Sequence, residues 1–330
     1  MSTMIKHIYV EETIRDHPRT QSILKKFPAT RVIECKHYGQ IFNRHNQSFR
    51  VQKQQPSLIL AEKKNKRVLP VPPSLEVNQP SYYFSHMLNC VYDCRYCFLQ
   101  GMFRSANYVI FVNYEEFYDD IIKISEENQG KTFFFSGYDC DSLALEPITE
   151  FANNFLPLFK ELKQATLELR TKSTQIRSLL ETEVLNNIIC SFSLNPNEII
   201  SQFEHKTPNL ESRIRSIQKL SDAGWSIGLR FDPVVLTANF KKIYSQAFEQ
   251  IFSSVQVDKI ESITLGTFRT SADQIKRMLK DYPNEWLYHT VTPKSGNRIG
   301  YAHQTDKTII SWCKEQLRLH SESTPIYVQE

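Results

Sequence analysis

The chain lacks any apolar run long enough to cross a bilayer, which takes about 20 consecutive apolar residues. Its first residues, MSTMIKHIYVEETIRDHP, contain no apolar signal core. Both absences argue against a membrane partner and against secretion. The expected location is the cytoplasm, a reducing compartment. There is no internal repeat and no low-complexity tract. The cysteines number seven, an odd count, and none falls in a secretory context, so a disulfide framework is disfavoured. A strong charge excess is missing too. The 40 Lys and Arg against 36 Asp and Glu leave a net charge of +4, which permits nucleic-acid binding without establishing it. With 41% hydrophobic and 23% charged residues, the 330-residue chain has material for a packed core in one large domain or two.

What the chain does have is the run Cys90-Val-Tyr-Asp-Cys94-Arg-Tyr-Cys97. A closed zinc site wants four ligands. No second C-x₂-C pair exists to supply one, and Cys35, Cys140, Cys190 and Cys313 are scattered. Iron–sulfur clusters are held by thiolates at comparably tight spacings. Three thiolates hold three irons of a [4Fe–4S] cubane and leave the fourth iron open to a small molecule. The densest basic run, Lys63-Lys64-Asn-Lys66-Arg67, reads as a solvated loop rather than a phosphate contact.

Residues 1–80 read as an irregular α+β extension. Glu12–Lys26 is expected to be helical, and Ser57–Ala61 and Arg67–Val71 to be short strands. Pro70, Pro72, Pro73 and Pro80 punctuate the approach to the cysteines. From residue 81 to 285 strands and helices alternate. The strand candidates are Ser81–His86, Thr132–Ser136, Ala165–Arg170, Ile188–Ser193, Ser226–Phe231 and Ser262–Thr267, each apolar and rich in aromatic or β-branched residues. Helices are predicted from a capping box at Asn113 and Glu116, and over Pro147–Lys163, Ser173–Glu183, Asn209–Ala223, Asn239–Phe252 and Ser271–Tyr282. Gly224 stands where a helix would end. Six such units imply an α/β fold with a parallel sheet, a partial (β/α)₆ TIM-like barrel. Residues 286–330 follow as a C-terminal hairpin and helix.

Chemistry in parallel α/β folds gathers at the C-terminal ends of strands. The cysteines follow the first predicted strand. Ser136-Gly137-Tyr138-Asp139-Cys140-Asp141 follows the second, Arg170-Thr171-Lys172 the third and Ser193-Leu194-Asn195 the fourth. Arg230 and Asp232 end the fifth, and Arg269 follows the sixth.

With these residues in hand the chain resembles the spore photoproduct lyase family, within the radical S-adenosylmethionine (SAM) superfamily. The likeness is carried by Tyr96-Cys97-Phe98-Leu99-Gln100, Tyr108 with Val112-Asn113, the loop after the second strand, Lys172, Phe192-Ser193-Leu194-Asn195, Phe203-Glu204 and Gly300-Tyr301. The resemblance implies that Cys90, Cys94 and Cys97 bind the cluster and that SAM chelates the open iron. One-electron cleavage of SAM gives a 5′-deoxyadenosyl radical, which takes hydrogen from a methylene-linked thymine dimer in DNA and starts its reversion to two thymines. An electron donor such as a flavodoxin or ferredoxin is implied. Tyr96 would pack on the adenine or be an ordinary core aromatic. Lys172 would pair with the SAM carboxylate. Ser193 and Asn195 would bond the ribose or the amino-acid end, or else cap a helix before Glu198. Asp139, Cys140 and Asp141 would face the SAM ammonium or merely form a turn.

Two departures stand out. Family lyases carry a hydrogen-donating cysteine where Tyr138 stands, and a tyrosine where Phe98 stands. Tyr138, or Cys140 two residues on, is then the candidate donor. Arg269, Lys294, Arg298 and Tyr301 are candidates for DNA contact, the last three in or next to the hairpin-like run Pro293–Gly300. An extruded lesion needs phosphate contacts and a wedge. Two other functions fit the residues. One keeps the SAM chemistry on another modified nucleobase or a peptide. The other is a non-catalytic iron–sulfur or zinc protein that binds nucleic acid.

Overall fold

Short apolar runs flanked by turn residues become buried parallel strands in the computed structural model, which describes residues 5–72, 79–128, 131–294 and 296–329. Pro73 and Ser295 lie outside the described residues. The main sheet contains β1 (Ser81–Phe84), β2 (Thr132–Ser136), β3 (Ala165–Thr171), β4 (Ile188–Ser193), β5 (Ser226–Val234) and β6 (Ile260–Thr267), the six expected strands in sequential order. All five pairings among them are parallel. A seventh, unexpected parallel strand, β7 (Ile326–Gln329), adds to β6 after the helix His303–His320. Val68–Pro70 pairs antiparallel with β1 at the other edge. The sheet stays open between these edges, so the barrel is partial.

Side chains alternate between the two faces. Leu167 and Leu169 of β3 join the large core packed under the helices, where Phe84, Phe134, Phe151, Phe155 and Phe159 sit fully buried. Glu168 and Arg170, one residue out of phase, face the other way. That opposite face is the barrel interior, where these charged side chains sit beside an apolar cluster of Val71, Phe133, Phe135 and Ile189. The helices Leu210–Asp222 and Ala272–Asp281 begin with side-chain caps from Asn209 and Ser271. Gly224 follows the first at φ +101°.

Several helix expectations fail for local reasons. Asn113 does not cap. Its amide is used by Lys63, whose N–H donates to Oδ1 at 2.9 Å and whose carbonyl accepts from Nδ2 at 3.2 Å. The helix expected over Pro147–Lys163 breaks at left-handed Glu150 into Glu146–Thr149 and Phe151–Glu161. Only Arg177–Leu180 of Ser173–Glu183 is helical, because Ser173 and Thr171 make turn bonds to following N–H groups. Glu12–Lys26 divides into Glu12–Ile14 and Pro18–Lys25. The basic run is solvated only at Lys64 and Lys66. Arg67 forms a two-pronged pair with Asp120 at 2.8 and 2.9 Å, and Lys63 lies over the Phe111 ring at 5.2 Å.

The N-terminal portion is more regular than its sequence suggested. His7–Glu11, Arg31–Cys35, Leu58–Ala61, Met87–Leu88 and Tyr108–Phe111 make a second sheet, mostly parallel. Two of its strands come from beyond residue 80, on either side of the cysteines. Among the described residues no helix is long and apolar enough to cross a membrane.

One buried base makes the fold sensitive to acid. His86 follows β1, stacks on Phe151 at 4.0 Å and leaves Nδ1 without a partner. Burial lowers its pKa to about 3. The unfolded chain binds a proton below about pH 6.5 that the folded chain refuses, so stability falls with pH from there by up to about 1.4 kcal/mol per unit. Denaturant melts between pH 6.5 and 5 should show this slope, and His86→Gln should remove it. The same slope in the variant would assign the effect elsewhere.

Candidate active site

The cysteine loop is fixed at both ends before any ligand is considered. Met87 and Leu88 pair antiparallel with Ile110 and Val109. Asn89 then turns the chain at φ +66°, a conformation asparagine tolerates. Its amide donates to the carbonyls of Ser105 at 2.8 Å and Asn107 at 2.7 Å, tying the loop's entry to its exit. Asp93 and Cys94 pair antiparallel with His205 and Glu204, and the Arg95 N–H donates to the Phe203 carbonyl at 2.7 Å. The Gln100 side chain closes the loop on Asp93 Oδ1 at 2.8 Å and the Cys94 carbonyl at 3.1 Å.

Cys90, Cys94 and Cys97 line one cavity of about 370 Å³ at the C-terminal ends of the barrel strands. Tyr96, Tyr138, Cys140, Lys172, Ser193 and Arg269 line it as well. Residues predicted from five separate strand ends therefore meet in one place. Phe49 and Lys53, which carry no sequence signature, reach the same cavity from the N-terminal portion.

Behind the cavity lies a buried ionic network. Glu204 and Arg213 form an ion pair with both side chains inaccessible to solvent. Tyr96 donates its phenol proton to Glu204, and Asn195 donates to Glu204 Oε1 at 3.0 Å. Tyr244 donates to Asn195 Oδ1 at 2.8 Å. Asn195 thus supports Tyr96 from outside the cavity and does not cap the helix Asn197–Phe203, whose start carries no side-chain cap. Ser193 faces the cavity, and its carbonyl accepts from Arg213 at 2.9 Å. Lys172 Nζ stands 5.5 Å from the centroid of the Tyr96 ring. Burial draws the Lys172 pKa down, but Cys94 and Glu204 outweigh it and raise it, so the ammonium is held charged. The sequence motifs assign no role to Glu204 or Arg213. The available signal was an arginine on the apolar stripe Leu210, Ile214, Ile217.

The loop after β2 is built for tight placement. Gly137 has φ +79°, and a Cβ there would meet Ser142 Oγ at 2.5 Å and the Arg170 carbonyl at 3.1 Å. Gly137→Ala should cost about 1–3 kcal/mol and displace Tyr138. Thermal melting checks the first, and fluorescence quenching of the cavity tyrosines the second. A variant as stable as the wild type would mean that the loop yields. Asp141 is consumed inside the loop. It accepts from Thr171 Oγ1 and the Lys172 N–H at 2.6 Å each, and from Leu143 and Ala144. Asp139 accompanies Lys63 instead of lining the cavity. Cys140 is buried, and burial pushes its thiol pKa well up. Tyr138 is half-buried. Its ring packs against Tyr83 at 4.4 Å and Phe98 at 5.4 Å, and Phe98 is 40% exposed.

The DNA-contact candidates separate. Arg269 lies at the cavity, in a two-pronged pair with Asp232 at 2.7 and 3.1 Å. Arg298 is exposed on the strand Arg298–Gly300, which forms a hairpin with Thr292–Pro293. Lys294 pairs with Asp306. Tyr301 is 2% exposed, and its hydroxyl accepts from the Leu236 N–H at 3.0 Å, so it packs the core here and presents no wedge.

Cys90, Cys94 and Cys97 are free thiols that reach the same cavity, a donor set that suits a cluster held by three thiolates.

The family model of spore photoproduct lyase matches residues 4–299. Spore photoproduct lyase of Bacillus subtilis (strain 168) is 24% identical over 290 residues, covering 85% of this chain and 83% of that protein. The Clostridium acetobutylicum protein of the same name is 25% identical over 295 residues, covering 87% and 85%. Among solved structures, spore photoproduct lyase complexed with dinucleoside spore photoproduct superposes with a TM-score of 0.85 at 17% identity, over 100% of this chain and 99% of that one. A variant of spore photoproduct lyase with bound AdoMet and dinucleoside spore photoproduct gives 0.85 at 17%, over 99% and 98%. The long match to the family model, with the same fold along the whole chain, makes this protein a member of the spore photoproduct lyase family.

Proposed function

We propose that this protein is a radical SAM carbon–carbon lyase that returns a methylene-linked thymine dimer in DNA to two thymines. The observation that carries the reading is the convergence of three thiols, Lys172, Ser193 and Tyr138 on one cavity. Cys90, Cys94 and Cys97 would hold a [4Fe–4S] cluster. SAM would lie between it and the strand ends, with Lys172 meeting the carboxylate and Ser193 a polar group of the cofactor. When bound, the two groups supply a carbon radical by one-electron cleavage, with the electron from a flavodoxin- or ferredoxin-like donor.

The chain's own residues orient and protect. Tyr96, locked to Glu204 and Asn195, gives a fixed wall. Phe98, Tyr138 and Tyr83 offer an aromatic face for a thymine. Tyr138 is the better placed hydrogen donor, since it lies half-exposed on the cavity. Cys140 also reaches the cavity, but its side chain belongs to the buried apolar cluster that includes Met87, Tyr108 and Leu145. Arg298 on the exposed hairpin would meet phosphate.

The test is anaerobic reconstitution, then incubation with SAM, dithionite and dinucleotide spore photoproduct. Free thymine dinucleotide is the expected result. An iron–sulfur band with 5′-deoxyadenosine but no thymine product would move the activity to another substrate. No band at all would remove the radical chemistry.

A further inference from the structure

We propose that Arg170 is the substrate-anion contact of this cavity and binds the phosphate joining the two nucleosides of the lesion, an inference that rests on the function proposed above. Three carboxylates around the cavity each serve two cations. Asp93 pairs with Arg95 at 2.8 Å and Lys53 at 3.4 Å. Glu204 pairs with Arg213 and lies close enough to Lys172 to raise its pKa. Glu168 pairs with Arg170 at 2.6 Å and Arg230 at 3.0 Å. Arg95 also stands 3.8 Å from Glu285, so the first group balances, whereas Glu168 with Arg170 and Arg230 leaves one positive charge over.

Lys53 and Lys172 both line the cavity beside the cysteines. Among the described residues no other acidic side chain pairs with Arg170 or Arg230.

Geometry says which end of that trio is free. Arg230 is buried, and its Nη1 donates to the Ser262 carbonyl at 3.0 Å. Gly228 makes room for it, since a Cβ there would overlap Ser191 Oγ and the Arg230 guanidinium. Arg170 spends only Nε on Glu168. Its guanidinium lies 4.9 Å from the Phe135 ring centroid, and its side chain is 37% exposed on the cavity wall. Its two terminal nitrogens have no acceptor among the described residues. A planar fork held from behind by a carboxylate and beneath by a ring is preorganised for phosphate. Arg269, also on the wall, is already neutralised by Asp232.

The experiment uses reconstituted holoenzyme, anaerobic and unreduced. Calorimetry compares two ligands, dinucleotide spore photoproduct with its phosphodiester and the dinucleoside without it. Wild type should prefer the phosphate-bearing ligand by about 10- to 100-fold. Arg170→Gln should erase that preference while the dinucleoside affinity changes by less than about twofold. Arg170→Lys should keep part of it as a point charge. Arg170→Gln leaves Glu168 matched by Arg230 alone, so the fold should hold, and circular dichroism and iron content verify this. Equal loss for both ligands, or a preserved preference, overturns the assignment. Lost SAM affinity with the preference intact also overturns it, since the anion would then be the cofactor's carboxylate. If wild type binds both ligands alike, Arg170 fails and the lyase reading stands. If wild type binds neither, both fail.

Discussion

Replacing Glu204 with alanine is expected to cost the fold about 3–5 kcal/mol, the range for breaking a buried ion pair from one side. Arg213 would keep its charge at zero solvent exposure, with only the carbonyls of Pro208 and Ser193 and the Thr207 hydroxyl as acceptors. Tyr96 and Asn195 would lose their acceptor together. For a chain of this size the melting temperature should fall by roughly 6–10 °C. Glu204→Gln should cost less, since the amide oxygen still accepts from Tyr96. Burial alone would raise the Glu204 pKa, but Arg213 and Lys172 outweigh it and hold it below the usual carboxylate value. The pair's contribution is therefore complete above about pH 4.5 and is lost as pH falls through the lower folded value. Melting curves of wild type and both variants at pH 7 and pH 4 check this. A shift of under 2 °C for the alanine variant would mean that water enters and solvates Arg213.

Tyr138→Phe should leave SAM cleavage running and remove most of the repaired product. A phenyl ring keeps the contacts with Tyr83 and Phe98 but has no O–H to give. If that bond lowers the hydrogen-return barrier by about 3 kcal/mol, product formation falls about 100-fold, and 5′-deoxyadenosine accumulates without matching thymine. In heavy water the wild-type product should carry solvent deuterium, because a phenol proton exchanges, and the product left in the variant should carry less. Cys140→Ser is expected to change the ratio little, given the apolar packing of that side chain. Coupled turnover in Tyr138→Phe and uncoupling in Cys140→Ser would reverse the assignment. Full repair by the double variant would remove both residues from the step.

The sequence made the barrel legible because buried parallel strands are short uninterrupted apolar runs, and β2 and β4 have the bounds expected of them. Of the N-terminal sheet only Leu58–Ala61 was legible, expected as Ser57–Ala61. Arg31–Cys35 is largely exposed and carries Arg and Glu, so it has no apolar signature. β7 is short, half-buried and far from its partner in sequence. In the site, the cysteines were legible from spacing, and Lys172, Ser193 and Tyr138 from their positions after strands. The ionic trios were not. Asn195 meets Tyr96 across 99 residues, and Arg230 meets Glu168 across 62. Alternation on β3 and β5 aims Glu168, Arg170 and Arg230 inward, but that becomes apparent only once the inner face of the sheet is known.

The cysteine loop leaves and re-enters the smaller sheet through Met87–Leu88 and Tyr108–Phe111. A fragment starting at residue 81 would keep the barrel strands yet strand this loop on a hairpin with no sheet to join. On the proposed function, the smallest unit able to hold the cluster would therefore include the N-terminal strands, and truncation at residue 81 would cost cofactor binding even with every cysteine retained.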